Sequence, residues 1–341
     1  MKLIYFLSTA LLLISCNKEE KYKPEKFVKT EIKLSVIDSL STPEQVEQLV
    51  AKTDTLFKKF TLKKVQDIEC RVCDSSLVNL AYKLKINHTY YKADFDNNGY
   101  TDLLVTGVNK TYTGENYDPN LDLEYSKEFN ALVLMNFGKD KIKLYDLTST
   151  MYNAVVPTVE YFGIEPFLVV YKPGHTSRIK QFRSKETKLR LIFRSNYFIE
   201  YNPNPVTYDF EKIEYSTTGC YGMCPIFELA IKKNGEATLL AKNYNYTEKW
   251  QKGTLLSGNY KTSIQDEQLK EITDLFNYLD FANLKNDYTV PWSDDQTGIL
   301  KVTYNNGKVK TITDYGLQGT YGLKEVHDVL FKLRTNQKWT R

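Results

Sequence analysis

Two Asn-Gly dipeptides, Asn234-Gly235 and Asn306-Gly307, each fall between short β-like runs. The runs cover residues 226–232 and 237–241 around the first, and 300–304 and 308–313 around the second. Asn and Gly accept the positive φ that tight hairpin turns require, so this spacing predicts two β-hairpins. Two helical patterns interleave with them. One begins near Ser263, with Asp266 three residues on, and repeats Leu269, Ile272, Leu275, Phe276 and Leu279. The other runs from about Tyr321 through Leu323, Val326, Leu330 and Leu333. Hairpins with separate helices predict an antiparallel α+β unit over residues 209–341.

Upstream, Tyr201-Asn202-Pro203-Asn204-Pro205-Val206 breaks the pattern, which marks residues 201–208 as an expected linker. Residues 28–200 read as a β-rich domain with a leading helix. Thr42 suits the cap and Pro43 the first turn, and Val46, Leu49, Val50, Leu56, Phe57 and Phe60 recur at helical spacing. Beyond Leu77 the signal changes to short runs at 102–108, 131–135, 167–171 and 189–193, which predict strands. The 26 Tyr and 17 Phe, against 16 Gly and 10 Pro, favour tyrosine-rich β structure over disorder. At 341 residues the chain has room for two cores, so the expected class is α+β in two domains.

The chain opens MKLIYFLSTALLLISC, where a single basic residue, Lys2, precedes an apolar stretch ending at Ile14. That stretch is too short to span a bilayer and suits a secretory leader. Leu13-Ile14-Ser15-Cys16 resembles a bacterial lipobox. The resemblance implies a signal peptide over 1–15, lipidation of Cys16 through several acyl groups such as palmitate, and a charged tether over 16–27. Asn17-Lys18-Glu19-Glu20 resembles the export signal of Bacteroidota surface lipoproteins. Together these imply an outer-membrane lipoprotein of the cell envelope, with the periplasmic and surface faces both open. A plain signal peptide with a chance cysteine, or a short membrane anchor, is the alternative. The net charge of +4 falls to +3 when Lys2 is removed, and no basic block stands out, so nucleic acid is not an expected partner.

Asp94-Phe95-Asp96-Asn97-Asn98-Gly99-Tyr100-Thr101-Asp102 places oxygen ligands at positions one, three, five and nine, with Gly at six. A hard cation such as Ca²⁺ needs that pattern from a continuous loop, and the Tyr100 carbonyl suits position seven. An EF-hand would have Glu at position twelve, where this chain has Val105. Residues 90–144, with ADFDNNGYTDLLV and then ALVLMNFGKDKIKL, instead resemble a single FG-GAP or VCBS-type repeat. That resemblance implies Asp94, Asp96, Asn98 and Asp102 as calcium ligands. A polar turn that bonds its own backbone without metal is the plainer reading.

Gly219-Cys220-Tyr221-Gly222-Met223-Cys224-Pro225 is the second motif. Outside the cytoplasm its thiols most simply form a disulfide that closes a tight loop. The alternative is a soft-metal site, with Cys220, Met223 and Cys224 offering sulfur to Cu(I), similar to copper-delivery proteins of the thioredoxin fold. With the hairpins and the C-terminal helix, residues from about Phe210 to Leu333 resemble the domain-of-unknown-function 6438 family, which carries a GCxGxCP signature. That family implies a compact α+β unit and no particular activity. Cys70-Arg71-Val72-Cys73 is a further pair, read as a structural disulfide, with redox or Cys₄ zinc chemistry as the alternatives.

No GxSxG, HExxH or glycine-rich phosphate loop occurs, and His88, His175 and His327 are scattered. The loop carrying Trp292, Asp294 and Asp295 is the remaining ligand surface. Its paired carboxylates suit a glycosidase and its tryptophan suits sugar stacking; a solvated loop is the plainer reading, because adjacent carboxylates on an extended segment point apart. The leading functional expectation is a lipid-anchored binding or structural module facing an envelope protein or an exogenous ligand. A thiol-redox or copper-binding protein using Cys220 and Cys224 comes second, and an acid/base enzyme such as a glycosidase third.

Overall fold

The computed structural model describes residues 30–68, 75–110, 127–139, 141–148, 155–174, 184–248 and 252–341. Cys16 with its leader and the whole tether over 16–27, Cys70, Cys73 and His175 lie outside the described residues. Helix α1 (Val36–Ser39) is a single turn closed by Asp38, which accepts from the Ser35 N–H and hydroxyl. Helix α2 (Pro43–Thr53) begins where expected: Thr42 caps it and Gln45 reaches back to the Thr42 N–H. It ends sooner than the apolar repeat suggests. Asp54 leaves helical geometry and accepts the Leu56 N–H, starting a 3₁₀ turn. Phe57 and Phe60 stay buried, whereas Leu56 turns out to solvent and is not a core residue.

Strand β1 (Thr61–Leu62), helix α3 (Ser75–Leu84) and strands β2 (Tyr90–Ala93), β3 (Asp102–Lys110), β4 (Lys127–Asn136) and β5 (Ile142–Asp146) follow. The strands form one antiparallel sheet in which β3 pairs with β1, β2 and β4, and β5 pairs with β4. Alternate side chains leave opposite faces of a strand. Leu103, Val105, Leu132 and Leu134 therefore pack with Ile37, Val46 and Val50, while Leu104, Ala131, Val133 and Met135 face the other way. Both faces are covered, which explains the unbroken apolar runs in β3 and β4. The second layer is a four-stranded meander of β6 (Val156–Phe162), β7 (Glu165–Lys172), β8 (Thr187–Arg194) and β9 (Tyr197–Glu200). Leu168, Val170, Leu191 and Phe198 complete the shared core.

The C-terminal half contains β10 (Phe210–Thr217), β11 (Ile226–Lys232), β12 (Glu236–Tyr246), β13 (Leu255–Ser263), α4 (Asp266–Tyr278), β14 (Asp287–Thr289), β15 (Thr297–Tyr304), β16 (Lys308–Tyr315) and α5 (Tyr321–Asn336). The sheet order is β13-β12-β11-β10-β15-β16-β14, antiparallel except where β14, arriving from helix α4, runs parallel to β16. Both Asn-Gly dipeptides sit in hairpin loops, β11–β12 and β15–β16, each three residues long. In the second, Asn305, Asn306 and Gly307 all have positive φ. Helix α4 starts later than its sequence pattern suggests. Ser263 closes β13, and Gln265 occupies the cap position. Ile272, Leu275 and Phe276 of α4 and Leu323, Val326, Leu330 and Leu333 of α5 pack into one core with the sheet. Among the described residues no helix is long and apolar enough to cross a membrane.

The two halves meet at β9 and α5. Adjacent residues of β9 serve different cores: Phe198 packs in the N-terminal one and Ile199 in the C-terminal one. The Glu200 carboxylate then accepts the Tyr321 and Gly322 N–H groups at 2.8 and 2.9 Å, supplementing the Thr320 cap of α5. Tyr321 itself is buried in the N-terminal core, with its hydroxyl toward the Leu147 carbonyl. Residues 201–208 are pinned between these parts. Asn202 bonds the Tyr278 hydroxyl and carbonyl, Val206 donates to the Asn277 carbonyl, and Tyr208 donates to the Asn277 side chain.

Candidate functional site

The loop between β2 and β3 gathers the acidic residues singled out in the sequence. Side-chain oxygens of Asp94, Asp96 and Asp102 all lie within 4.8 Å of one another. Asp102, at the start of β3, is fully buried and accepts the Phe95 and Asn136 N–H groups at 2.8 and 2.7 Å. Asp94 accepts the Asn98 and Gly99 N–H groups at 3.0 and 2.8 Å. Gly99 has φ +89°, and a Cβ there would fall 2.4 Å from the Glu31 carbonyl oxygen, so the sixth position excludes any other side chain. Burial pushes the Asp102 carboxyl up to about 8. Burial, followed by the charge of Asp94, pushes Asp96 up to about 6. The three convergent carboxylates form a hard-oxygen donor set that could hold a hard cation such as Ca²⁺.

Asn98 and Tyr100 are placed differently. The Asn98 side-chain oxygen accepts the Tyr100 N–H, and its amide donates to Asp96 and to the Asn136 carbonyl. The Tyr100 ring lies against Gly138 and under the Lys33 amine, 4.9 Å from it. Of the five expected ligands, the three carboxylates converge through their side-chain oxygens; Tyr100 is expected through its carbonyl and not its ring.

A partner of this loop had no sequence signal. The Thr30 hydroxyl donates to the Asn97 carbonyl at 2.8 Å, and the Lys33 N–H donates to the Gly99 carbonyl at 2.8 Å. The Thr101 hydroxyl donates to Asp38 at 2.6 Å. The segment around residues 30–38 is thus strapped across the acidic loop.

Cys220 and Cys224 are joined by a disulfide, with Cα atoms 5.8 Å apart, in the loop between β10 and β11. Bonded sulfurs cannot donate as thiolates, so the soft-metal reading of this pair does not apply to the oxidised protein. The Trp292 loop packs directly beside it. The Tyr221 N–H donates to the Asp294 carbonyl at 3.0 Å, and the buried Gln296 amide donates to the Thr218 and Pro225 carbonyls at 2.8 and 2.7 Å. Two features read separately in the sequence are therefore one surface, from which Tyr221 (89% exposed) and Met223 (53%) project. The Asp294 and Asp295 side chains are engaged in different contacts. Asp295 accepts the Trp292 indole N–H at 2.8 Å, and Asp294 accepts the Ser293 hydroxyl at 3.0 Å. That division removes the support for an acid/base pair at this loop.

Sequence reasoning missed a buried polar chain. The Tyr215 hydroxyl lies 2.8 Å from His327 Nδ1, and His327 Nε2 lies 3.0 Å from Asp314 Oδ2. Asp314 also accepts the Gln318 and Gly319 N–H groups. With Asp314 accepting, Nε2 carries a proton, and Nδ1 shares a hydrogen bond with the tyrosine hydroxyl. All three side chains are almost fully buried, so the chain fixes α5 on its sheet rather than meeting a substrate. His88, by contrast, is exposed and stacks edge-on with Tyr91.

Residues 211–334 match the sequence profile of a family described as "Domain of unknown function (DUF6438)". The match covers most of the third sheet, helix α4 and nearly all of α5, and it includes the disulfide loop. No curated protein and no solved structure matches the chain.

Removing His327 leaves Tyr215 and Asp314 buried with unmet hydrogen bonds, whereas Tyr215→Phe removes one hydroxyl. Urea unfolding should show His327→Ala losing about 3 kcal/mol and Tyr215→Phe about 1 kcal/mol. The reverse order would contradict this chain of contacts.

Proposed function

We propose that the protein is a lipid-anchored component of the bacterial cell envelope that works as a binding or structural module. In this reading Ca²⁺ orders the N-terminal sheet, and the C-terminal half presents the disulfide loop to an envelope protein or an exogenous ligand. The convergence of Asp94, Asp96 and Asp102 within 4.8 Å carries the calcium reading. Burial opposes ionisation of Asp96 and Asp102, a bound cation would offset that cost, and calcium is available at millimolar levels outside the cytoplasm. Asp94, Asp96 and Asp102 would hold the ion. It would tie the loop to β3, to the Asn136 end of β4 and, through Gly99 and Asn97, to the segment beginning at Thr30.

The Tyr221, Met223 and Trp292 surface supports a binding role. Its two loops brace each other through Gln296 and the Tyr221 N–H, so exposed side chains are presented with little entropy to lose on binding. A lipid at Cys16 accords with the lipobox and with a chain whose described helices do not span a membrane.

Titration calorimetry should find one Ca²⁺ site, and calcium at about one hundred times its dissociation constant should stabilise the fold by about 2.7 kcal/mol. Asp96→Asn should lose the calorimetric signal and the calcium-dependent rise in Tm, yet match or exceed the wild-type Tm in EDTA because one like charge is gone. No binding at millimolar Ca²⁺, with no shift in EDTA, would sink the calcium reading. Metabolic labelling with palmitate should mark the wild-type protein and leave Cys16→Ala unlabelled; an unlabelled wild-type protein would contradict the anchor.

A further inference from the structure

The hairpin joining β6 and β7 ends in Tyr161, Phe162, Gly163 and Ile164, and the three large apolar side chains are 62, 72 and 62% exposed. A Cβ built on Gly163 would meet nothing within 4 Å, so the turn projects clear of the other described residues. Single exposed hydrophobics are ordinary, but three in one four-residue tip form an apolar point with no partner among the described residues.

Topology gathers other features at the same end. Leu168 pairs with Leu191, so the beginning of β7 lies beside the end of β8, and the β8–β9 turn emerges about 10 Å from the apolar tip. In that turn Asn196 accepts from the Lys143 amine, and Phe193 beside it contacts Phe137 of the β4–β5 turn at 5.8 Å. Phe137 is itself exposed, as are Lys139, Lys141 and Lys143. The β4–β5 turn abuts the acidic loop through the Asn98 amide on the Asn136 carbonyl, and Thr30, where the described chain begins, is bonded to Asn97. Two acids flank the tip: Glu160 on β6 is paired with Lys188 at 2.7 Å, and Glu165 on β7 sits opposite Phe162.

We propose that this end of the N-terminal half is a membrane-contact surface, with Phe162 and Ile164 entering the headgroup region of a phospholipid bilayer and the lysines of the β4–β5 turn facing anionic lipid. Convex turns tipped with aromatics and flanked by lysines suit an interface where apolar tips enter and charged ends stay wet; a small ligand would call for a concavity. The orientation rests on the reading of Cys16 as the lipidated residue. Fourteen peptide units separate Cys16 from Thr30, which holds Thr30 within about 50 Å of the bilayer. A tether of that reach limits distance and leaves facing to be set by the protein surface.

The test uses the chain from Asn17 onward, which keeps every described residue and carries no acyl group, so it succeeds or fails independently of the lipid anchor. Sedimentation with vesicles of phosphatidylethanolamine and a minority of phosphatidylglycerol should bring down the wild-type chain. A Phe162→Asp, Ile164→Asp double variant, with an unchanged Tm because both sites are exposed, should partition about tenfold or more weakly. Vesicles of phosphatidylcholine alone should bind less than the anionic mixture. Absence of wild-type binding to the anionic vesicles, or equal binding by the double variant, would overturn the proposal.

Discussion

The Glu200 carboxylate on the first turn of α5 is the contact on which the assembly of the two halves depends. Helix N-termini leave N–H groups unpaired, and an anion placed there is favourable by about 0.3–1 kcal/mol at an exposed site and by up to about 2 kcal/mol when partly buried. Here the anion comes from the last residue of β9, and the first residue it caps, Tyr321, is sunk in the N-terminal core. The strand and the helix thus exchange anchors. Phe198 and Ile199, pointing to opposite sides of β9, extend the exchange into both cores, so separating the halves would expose apolar surface from each.

This joint gives the acidic loop a reach beyond its own hairpin. Asp102 begins β3 and is bonded to the end of β4, and these strands form the center of the first sheet. The other face of that sheet shares its core with Phe198 and Tyr321. Neutralising the carboxylates would consolidate the sheet whose core Tyr321 of α5 enters. The disulfide loop stands at the far side of this path, at the turn between β10 and β11. With so few residues in its ring, the disulfide shapes the loop more than it stabilises the fold. Gln296, bonded to carbonyls at both ends of the loop, completes that shaping.

Local chemistry was legible wherever the determinants lie within a few residues of one another. Thr42, Pro43 and Gln45 announce α2; Asn306-Gly307 announces a hairpin; Leu323, Val326, Leu330 and Leu333 mark the buried side of α5. The misreadings arose where two local rules compete. Leu56 continues the apolar spacing, but Asp54 takes the Leu56 N–H and ends the helix, and Ser263 looks like a cap while its residue is needed as the last of β13. What remained invisible depends on long-range contact. Tyr215 and His327 are 112 residues apart, Glu200 and Tyr321 are 121 apart, and Tyr221 meets the Trp292 loop only because β10 and β15 are neighbours.

On these contacts the two halves should melt as one cooperative unit, with the acidic loop in the same unit as the α5 joint. Scanning calorimetry of the chain from Asn17 onward, in calcium and in EDTA, tests this most directly. The account predicts a single transition that moves as a whole to higher temperature with calcium. Two separate transitions, of which calcium moves only one, would contradict it.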